Sequence, residues 1–245
     1  MLPLARRHRL WRGLRGLALE HHAQTQLTLY DIAQTNLEKK PMSDGNCFIV
    51  TYLEVAPASA GAAAALVQQR VEGSRKDNGN ARAEAFRRSA PSNQFVLVGI
   101  WRDQAAFEAS RDGAASKDIL AKLTPHLITG IDTRTHNALI GGPDATRGQG
   151  AVFVVTHIDV PPPNKDACIA LVETQVAASR KDAGCVRFEV FQQADRPNHF
   201  SVVEAWSDRA AFDAHIVTGH TKDFRMKLTP LSGGLYDERI YEAVK

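Results

Sequence analysis

Two runs of β-branched and aromatic residues, Phe48-Ile-Val-Thr-Tyr-Leu-Glu-Val55 and Phe153-Val-Val-Thr-His-Ile-Asp-Val160, have the length and content of strands. Proline closes each, Pro57 in the first and Pro161-Pro162-Pro163 in the second. Beyond the second run, Cys168, Leu171, Val172, Gln175, Val176 and Ser179 recur at the spacing of one helical stripe. Gly79 and Gly184 are expected to stop these helices in the C′ position. Val186–Gln192 and Phe200–Trp206 read as two strands joined by an Asp195-Arg-Pro-Asn198 turn. Ser207 or Asp208 then caps a second helix, with Ala211, Phe212, His215 and Ile216 on one face. A short third helix over about Thr221–Lys227 stops before Pro230, and Leu235–Val244 supplies a last strand. The order β-α-β-β-α-β is that of the ferredoxin-like unit, an antiparallel sheet with helices on one face.

The pattern occurs twice. Phe48–Leu139 and Phe153–Val244 align without a gap at an offset of about 105 residues, with roughly 36 of about 92 positions identical. Ser74-Arg-Lys-Asp77 returns as Ser179-Arg-Lys-Asp182, and Lys122-Leu-Thr-Pro125 as Lys227-Leu-Thr-Pro230. Trp101-x-Asp-x-Ala-Ala-Phe107 returns as Trp206-x-Asp-x-Ala-Ala-Phe212. So long a period marks a duplicated domain rather than a solenoid. The expected divisions are a basic extension over 1–45, a first repeat over 46–139, a linker over 140–150 and a second repeat over 151–245.

A four-stranded sheet with helices on one side leaves its other face bare, and that face must be covered. Two similar copies in one chain can cover each other. The expected fold class is therefore α+β, two tandem ferredoxin-like domains forming a pseudo-dimeric barrel about a pseudo-twofold axis. Further association between chains stays open.

Composition narrows the functional classes. The net charge of +3 is mild, and much of it sits in Arg6, Arg7, Arg9, Arg12 and Arg15. The repeats carry no basic stripe with interleaved aromatics, so nucleic acid is not the expected partner. Nor does any apolar run reach the 18–20 residues or so of a membrane span. Cys47, Cys168 and Cys185 form neither CxxC nor an even disulfide set, which favours a reducing, cytoplasmic setting. The basic amphipathic stretch Met1–Glu20 admits three readings: a targeting or surface-binding helix, a tail without specific role, or an upstream extension preceding a start at Met42.

Polar residues present in one repeat only are where function can have diverged. Along Phe200–Trp206, Phe200, Val202, Glu204 and Trp206 share a face. A carboxyl between Val202 and Trp206 on an apolar face should have a raised pKa, suited to acid–base work near neutrality. The plainer reading pairs Glu204 with a cross-strand arginine, Arg187 or Arg239. His215 lies one helical turn after Phe212, and His220 opens the third helix. The first repeat has Gly99, Ser110 and Ala115 at these three positions. The histidine spacing of five is not that of a helical zinc pair, and no third ligand has recognisable spacing, so no metal is expected. The pairs Asp132/Arg134 and Asp237/Arg239, found in both copies, read as architectural, and the Ser-Arg-Lys-Asp runs as solvated helix ends.

The residues Gly184-Cys-Val-Arg-Phe-Glu-Val-Phe191, Asn198-x-Phe200, Glu204-Ala-Trp206-x-Asp208-x-x-Ala-Phe212-x-x-His215 and His220-x-Lys222-x-Phe224 resemble the antibiotic biosynthesis monooxygenase family of the dimeric α+β barrel superfamily. The resemblance covers about four-fifths of the chain and is looser in the first repeat. It implies a monooxygenase that uses no flavin, haem or metal and oxidises a small aromatic or quinol-type substrate with O2. Glu204 or His215 would then be base or orienting group, and His220 proton partner. Trp206, Phe188, Phe200 and Phe212 would form ring-packing walls. The same fold also carries haem-degrading oxygenases, isomerases of small metabolites, and non-catalytic ligand-binding or stress-associated proteins. A haem enzyme would use His215 as axial ligand beside Trp206, but the first strand of the second repeat has no asparagine, where that subgroup tends to carry one, and His157 stands nearby instead.

Overall fold

The computed structural model describes residues 45–141 and 150–244; the basic extension up to residue 44 and linker residues 142–149 lie outside the described residues. The first half runs β1 (Cys47–Glu54), α1 (Ala60–Lys76), β2 (Asn80–Arg88), β3 (Gln94–Trp101), α2 (Gln104–Asp112), α3 (Ala114–Leu123) and β4 (Asp132–Ile140). The second half repeats it with β5 (Val152–Asp159), α4 (Lys165–Ser179), β6 (Cys185–Gln193), β7 (His199–Trp206), α5 (Arg209–Ile216), α6 (Gly219–Leu228) and β8 (Asp237–Ala243). All strand pairs are antiparallel.

Each half forms the expected sheet, ordered β4-β1-β3-β2 and β8-β5-β7-β6, and the two join edge to edge into one closed eight-stranded barrel. Closure uses the last strand of each half against the other half's second strand, with Arg88 opposite Tyr241 and Gln193 opposite His136. Among the described residues the closed barrel leaves no strand edge to template aggregation. The pseudo-dimeric α+β barrel expected from the repeat is the observed fold.

The barrel interior obeys the pseudo-twofold residue by residue. Phe48 stacks on Phe191 with centroids 4.8 Å apart, and its equivalent pair, Phe153 and Phe86, stacks at 4.1 Å. Arg82 grips Glu189 with two hydrogen bonds of 3.0 and 2.5 Å, while Arg187 stands 2.9 Å from Glu84. These four charged side chains are almost fully buried between the sheets. Arg187 therefore serves the join between repeats and not Glu204. Arg239 likewise pairs with Asp237 on its own strand, as Arg134 does with Asp132. Both arginines lie over the ring of Tyr52.

Two recurrent motifs acquire physical meanings. Asp103 and Asp208 are N-caps, accepting from Ala106 N at 2.7 Å and Ala211 N at 2.8 Å. In the Ser-Arg-Lys-Asp runs, which are not merely solvated, the serine is buried. The arginine reaches across to the following strand, Arg75 Nε to Ala83 O at 2.9 Å and Arg180 Nε to Phe188 O at 3.1 Å. Gly79 and Gly184 do not occupy C′, since the helices end at Lys76 and Ser179. They take positive φ (104° and 80°) at the entry to the next strand. A Cβ there would meet Ala106 Cβ at 2.9 Å and Ala211 Cβ at 2.5 Å, so glycine permits the second helix to approach.

A single Glu189→Leu substitution takes the two-bonded carboxylate from the buried Arg82, leaving Glu84 at 3.5 Å, and should cost about 3–5 kcal/mol in urea unfolding. Replacing Arg82, Glu84, Arg187 and Glu189 together by Leu or Met should recover most of that loss. A single variant of unchanged stability would contradict the pairing.

Candidate functional site

On β7 the side chains alternate as the pleat requires. Phe200, Val202 and Trp206 face the helices, while Val203 and Ala205 face the barrel interior. Glu204 shares the helix-facing side and is 3 % exposed. Trp206 donates its indole N–H to Glu204 Oε2 at 2.9 Å. Burial outweighs that hydrogen bond and pushes the Glu204 pKa from 4.5 to about 8. Neither arginine considered as its partner reaches it.

His215, presented by α5, lies against the indole, with ring centroids 4.5 Å apart. Phe188 meets His215 edge-on at 5.9 Å, and Phe212 packs on both the indole and the imidazole. His215 Nδ1 is 2.7 Å from Asp182 Oδ2. His220 Nε2 lies 3.0 Å from the same oxygen, so one carboxylate ties two imidazoles together. Gln175 and Thr221 close the network: Gln175 Nε2 donates to Thr221 Oγ1 at 3.0 Å, and Gln175 Oε1 is 3.2 Å from His220 Nδ1. Burial lowers the His215 pKa, opposed by its hydrogen bond to Asp182.

Of the residues expected from the sequence, Glu204, Trp206, His215, His220, Phe188 and Phe212 come together. Phe200 does not. It lies four residues along β7 from Glu204, roughly 13 Å at strand rise, within the core of the second half. His157 also stands apart, with Nε2 3.3 Å from His199 Nδ1. Asp182 was missed because it occurs in both repeats, as Asp77 in the first, and so looked structural. Its chemistry appears only when His215 and His220 face it. It also supplies the third ligand that the histidine spacing lacked: the donor atoms of Asp182, His215 and His220 lie within 4.8 Å of one another, a set able to hold a divalent ion.

The space that Glu204, His215, Gln175 and Thr221 border is small, about 10 Å³, enough for about one water. Phe188, Phe224 and Tyr236 line it, and the half-buried Arg225–Glu238 pair (2.8 Å) borders it. No macrocycle fits beside His215 in this conformation. The equivalent space in the first half is hollow, a cavity of about 480 Å³. There Gly99 replaces Glu204, Ala83 replaces Phe188 and Ile119 replaces Phe224. The open volume thus lies in the repeat that lacks the acid and the imidazoles.

A closed antiparallel barrel flanked by helices, with its pockets between sheet and helices, places the protein in the class of fused dimeric α+β barrels. The sequence profile of the antibiotic biosynthesis monooxygenases matches residues 47–122 and again 151–227. The chain belongs to that family. Protein sll1783 of Synechocystis, which has no described activity, is 29 % identical over 99 residues, covering 40 % of this chain and 67 % of that protein. A Bacillus subtilis protein named "Putative monooxygenase YcnE" is 26 % identical over 76 residues, covering 31 % of this chain and 80 % of that protein. The tandem layout has a structural counterpart. A Fusobacterium nucleatum protein described as a "Putative monooxygenase" superposes with a TM-score of 0.73 at 17 % identity, covering 83 % of this chain and 94 % of that one. Among the described residues no helix is long and apolar enough to cross a membrane.

Glu204 also couples pH to stability. Its folded pKa of about 8 exceeds the ordinary 4.5, so between these values the native state holds a proton that the unfolded chain releases. Its contribution is complete below about pH 4.5 and is lost as pH rises through about 8. Glu204→Gln should remove this decline, worth on the order of a few kcal/mol, in unfolding curves taken from pH 5 to 8.5. Parallel wild-type and variant profiles would contradict the assignment.

Proposed function

We propose that the protein is a monooxygenase that oxidises a small aromatic, quinol-type substrate with O2, with the acid–base chemistry supplied by the second half. The observation that carries this reading is the buried Glu204 carboxyl, poised near pH 8 against Trp206 and beside the Asp182-bound imidazoles. Ionised Glu204 removes a proton from an activated ring hydroxyl or methylene. The resulting anion is electron-rich enough to pass an electron to O2, and recombination forms a C–O bond as a hydroperoxide. Loss of a second proton from that carbon cleaves the O–O bond, leaving a carbonyl and releasing water. The substrate has then lost two hydrogens and gained one oxygen, so no external reductant is required. His215 and His220 hold and return protons to the departing oxygen, while the rings of Trp206, Phe188 and Phe212 exclude water.

A ring-sized substrate requires the roof of this site to open. The Arg225–Glu238 pair, with Arg225 also over the Tyr236 ring at 5.3 Å, is the latch that such opening breaks. The cofactor-free reading and a metal-dependent one on Asp182, His215 and His220 separate in one assay. Oxygen uptake across a panel of quinols and anthrones, by protein treated with chelator, should persist without added metal. The rate should rise with pH toward about 8 as Glu204 ionises. Glu204→Gln should lower kcat by roughly 10²–10⁴ and abolish that rise. Unchanged turnover in the variant, or activity only after adding a divalent ion, would overturn the proposal.

A further inference from the structure

The pseudo-twofold offers an internal comparison for the first-half cavity. In the second half, the Trp206 N–H is satisfied by a carboxyl of the protein itself, Glu204. In the first half the indole remains and the carboxyl is gone. Trp101 lines the cavity, and its Nε1 lies only 2.9 Å from where a Cβ on Gly99 would stand. Among the described residues this N–H has no acceptor in the protein.

A second change points the same way. Gln175 of the second half is replaced by Arg70, which also lines the cavity. Arg70 donates to two hydroxyls, those of Ser74 and Ser110 (3.1 Å to the latter); among the described residues no carboxylate forms a direct ion pair with it, and Asp77 acts on it only through space. A cation whose direct hydrogen-bond partners are neutral hydroxyls, lining the same cavity as an N–H donor without an acceptor, suits an anionic acceptor. Four further lining positions are smaller than their counterparts, and three of them are apolar: Ala83 for Phe188, Leu120 for Arg225, Ile131 for Tyr236 and Thr133 for Glu238, while Glu84 and Arg111 also reach the lining. Leu120 is 46 % exposed, an apolar side chain on the cavity lining that reaches solvent.

We infer that the first half binds a small apolar acid, an aryl or branched alkyl carboxylate or phenolate, whose anionic head takes the place that the Glu204 carboxyl fills in the second half. Arg70 supplies the countercharge and Trp101 a hydrogen bond, while the hydrocarbon body fills the hollow left by the truncated side chains. A cavity of about 480 Å³ accepts on the order of 16 non-hydrogen atoms at about 30 Å³ each. This site is independent of the oxygenase chemistry proposed for the second half.

The test is calorimetric titration of the full chain with 2-naphthoate and with its neutral analogue 2-naphthalenemethanol. Wild type should prefer the acid. Arg70→Gln, which installs the residue the second half already carries, should weaken naphthoate binding tenfold or more and leave the neutral analogue within about twofold. Ala83→Phe, which restores the second half's filling, should weaken both ligands. Quinol-dependent oxygen uptake by Arg70→Gln should equal that of wild type, so a failure here is distinguishable from a failure of the oxygenase reading. Absence of naphthoate binding to wild type at millimolar concentration, or equal naphthoate affinity in Arg70→Gln, would overturn the inference.

Discussion

Everything in this molecule depends on one sheet face covering the other. Each half builds a four-stranded sheet whose helix-free face is apolar and cannot stand in water. Fusing two copies lets those faces meet, with Phe48 on Phe191 and Phe153 on Phe86 as equivalent contacts. The crossed pairs Arg82–Glu189 and Arg187–Glu84 fix the match in charge as well as shape. Such pairs contribute little net stability against apolar replacements, but a mismatched arrangement would bury charges without partners. Register between the repeats is thereby constrained from both sides of the axis.

That constraint confines divergence to the outer layer. The interior residues must remain complementary to their own copies, so Phe48/Phe153, Arg82/Arg187 and Glu84/Glu189 persist in both repeats. The space between each sheet and its own helices carries no such obligation. There the halves have moved in opposite directions: one carries the Glu204 carboxyl, two imidazoles and the rings of Phe188 and Phe224, while the other lacks all of these and keeps Trp101 and Phe107 around a hollow. A symmetric core with asymmetric flanks is what duplication permits and a homodimer of identical chains does not.

The fold was legible because its signals are local and repeated. Strand length, the helical stripe from Cys168 to Ser179, and capping at Asp208 each followed from short-range physics. Doubling them pointed to the barrel. Glu204 and His215 were legible as polar residues on faces otherwise apolar and present in one repeat only. Asp182 was not, because a residue shared by both copies carries no sign of divergence. Its role depends on α5 and α6 folding back over the end of α4, a contact between residues more than thirty positions apart. Phe200 misled for the converse reason: it shares the face of Glu204, but strand rise carries it out of reach. The volume of each pocket was illegible, since it depends on the size of every opposing side chain at once. Ala83 opposite Phe188's position is visible as a small residue, but not as a cavity.

The chemistry assigned to the second half requires Glu204 to be a neutral acid over most of the physiological range and to ionise near its upper end. The most direct measurement is a pH titration of the Glu204 side-chain carboxyl by carbon-13 NMR, identified by its loss in Glu204→Gln. The account predicts a midpoint near 8, set by burial against Trp206. A midpoint near the ordinary 4.5 would mean a hydrated carboxylate, and would contradict it.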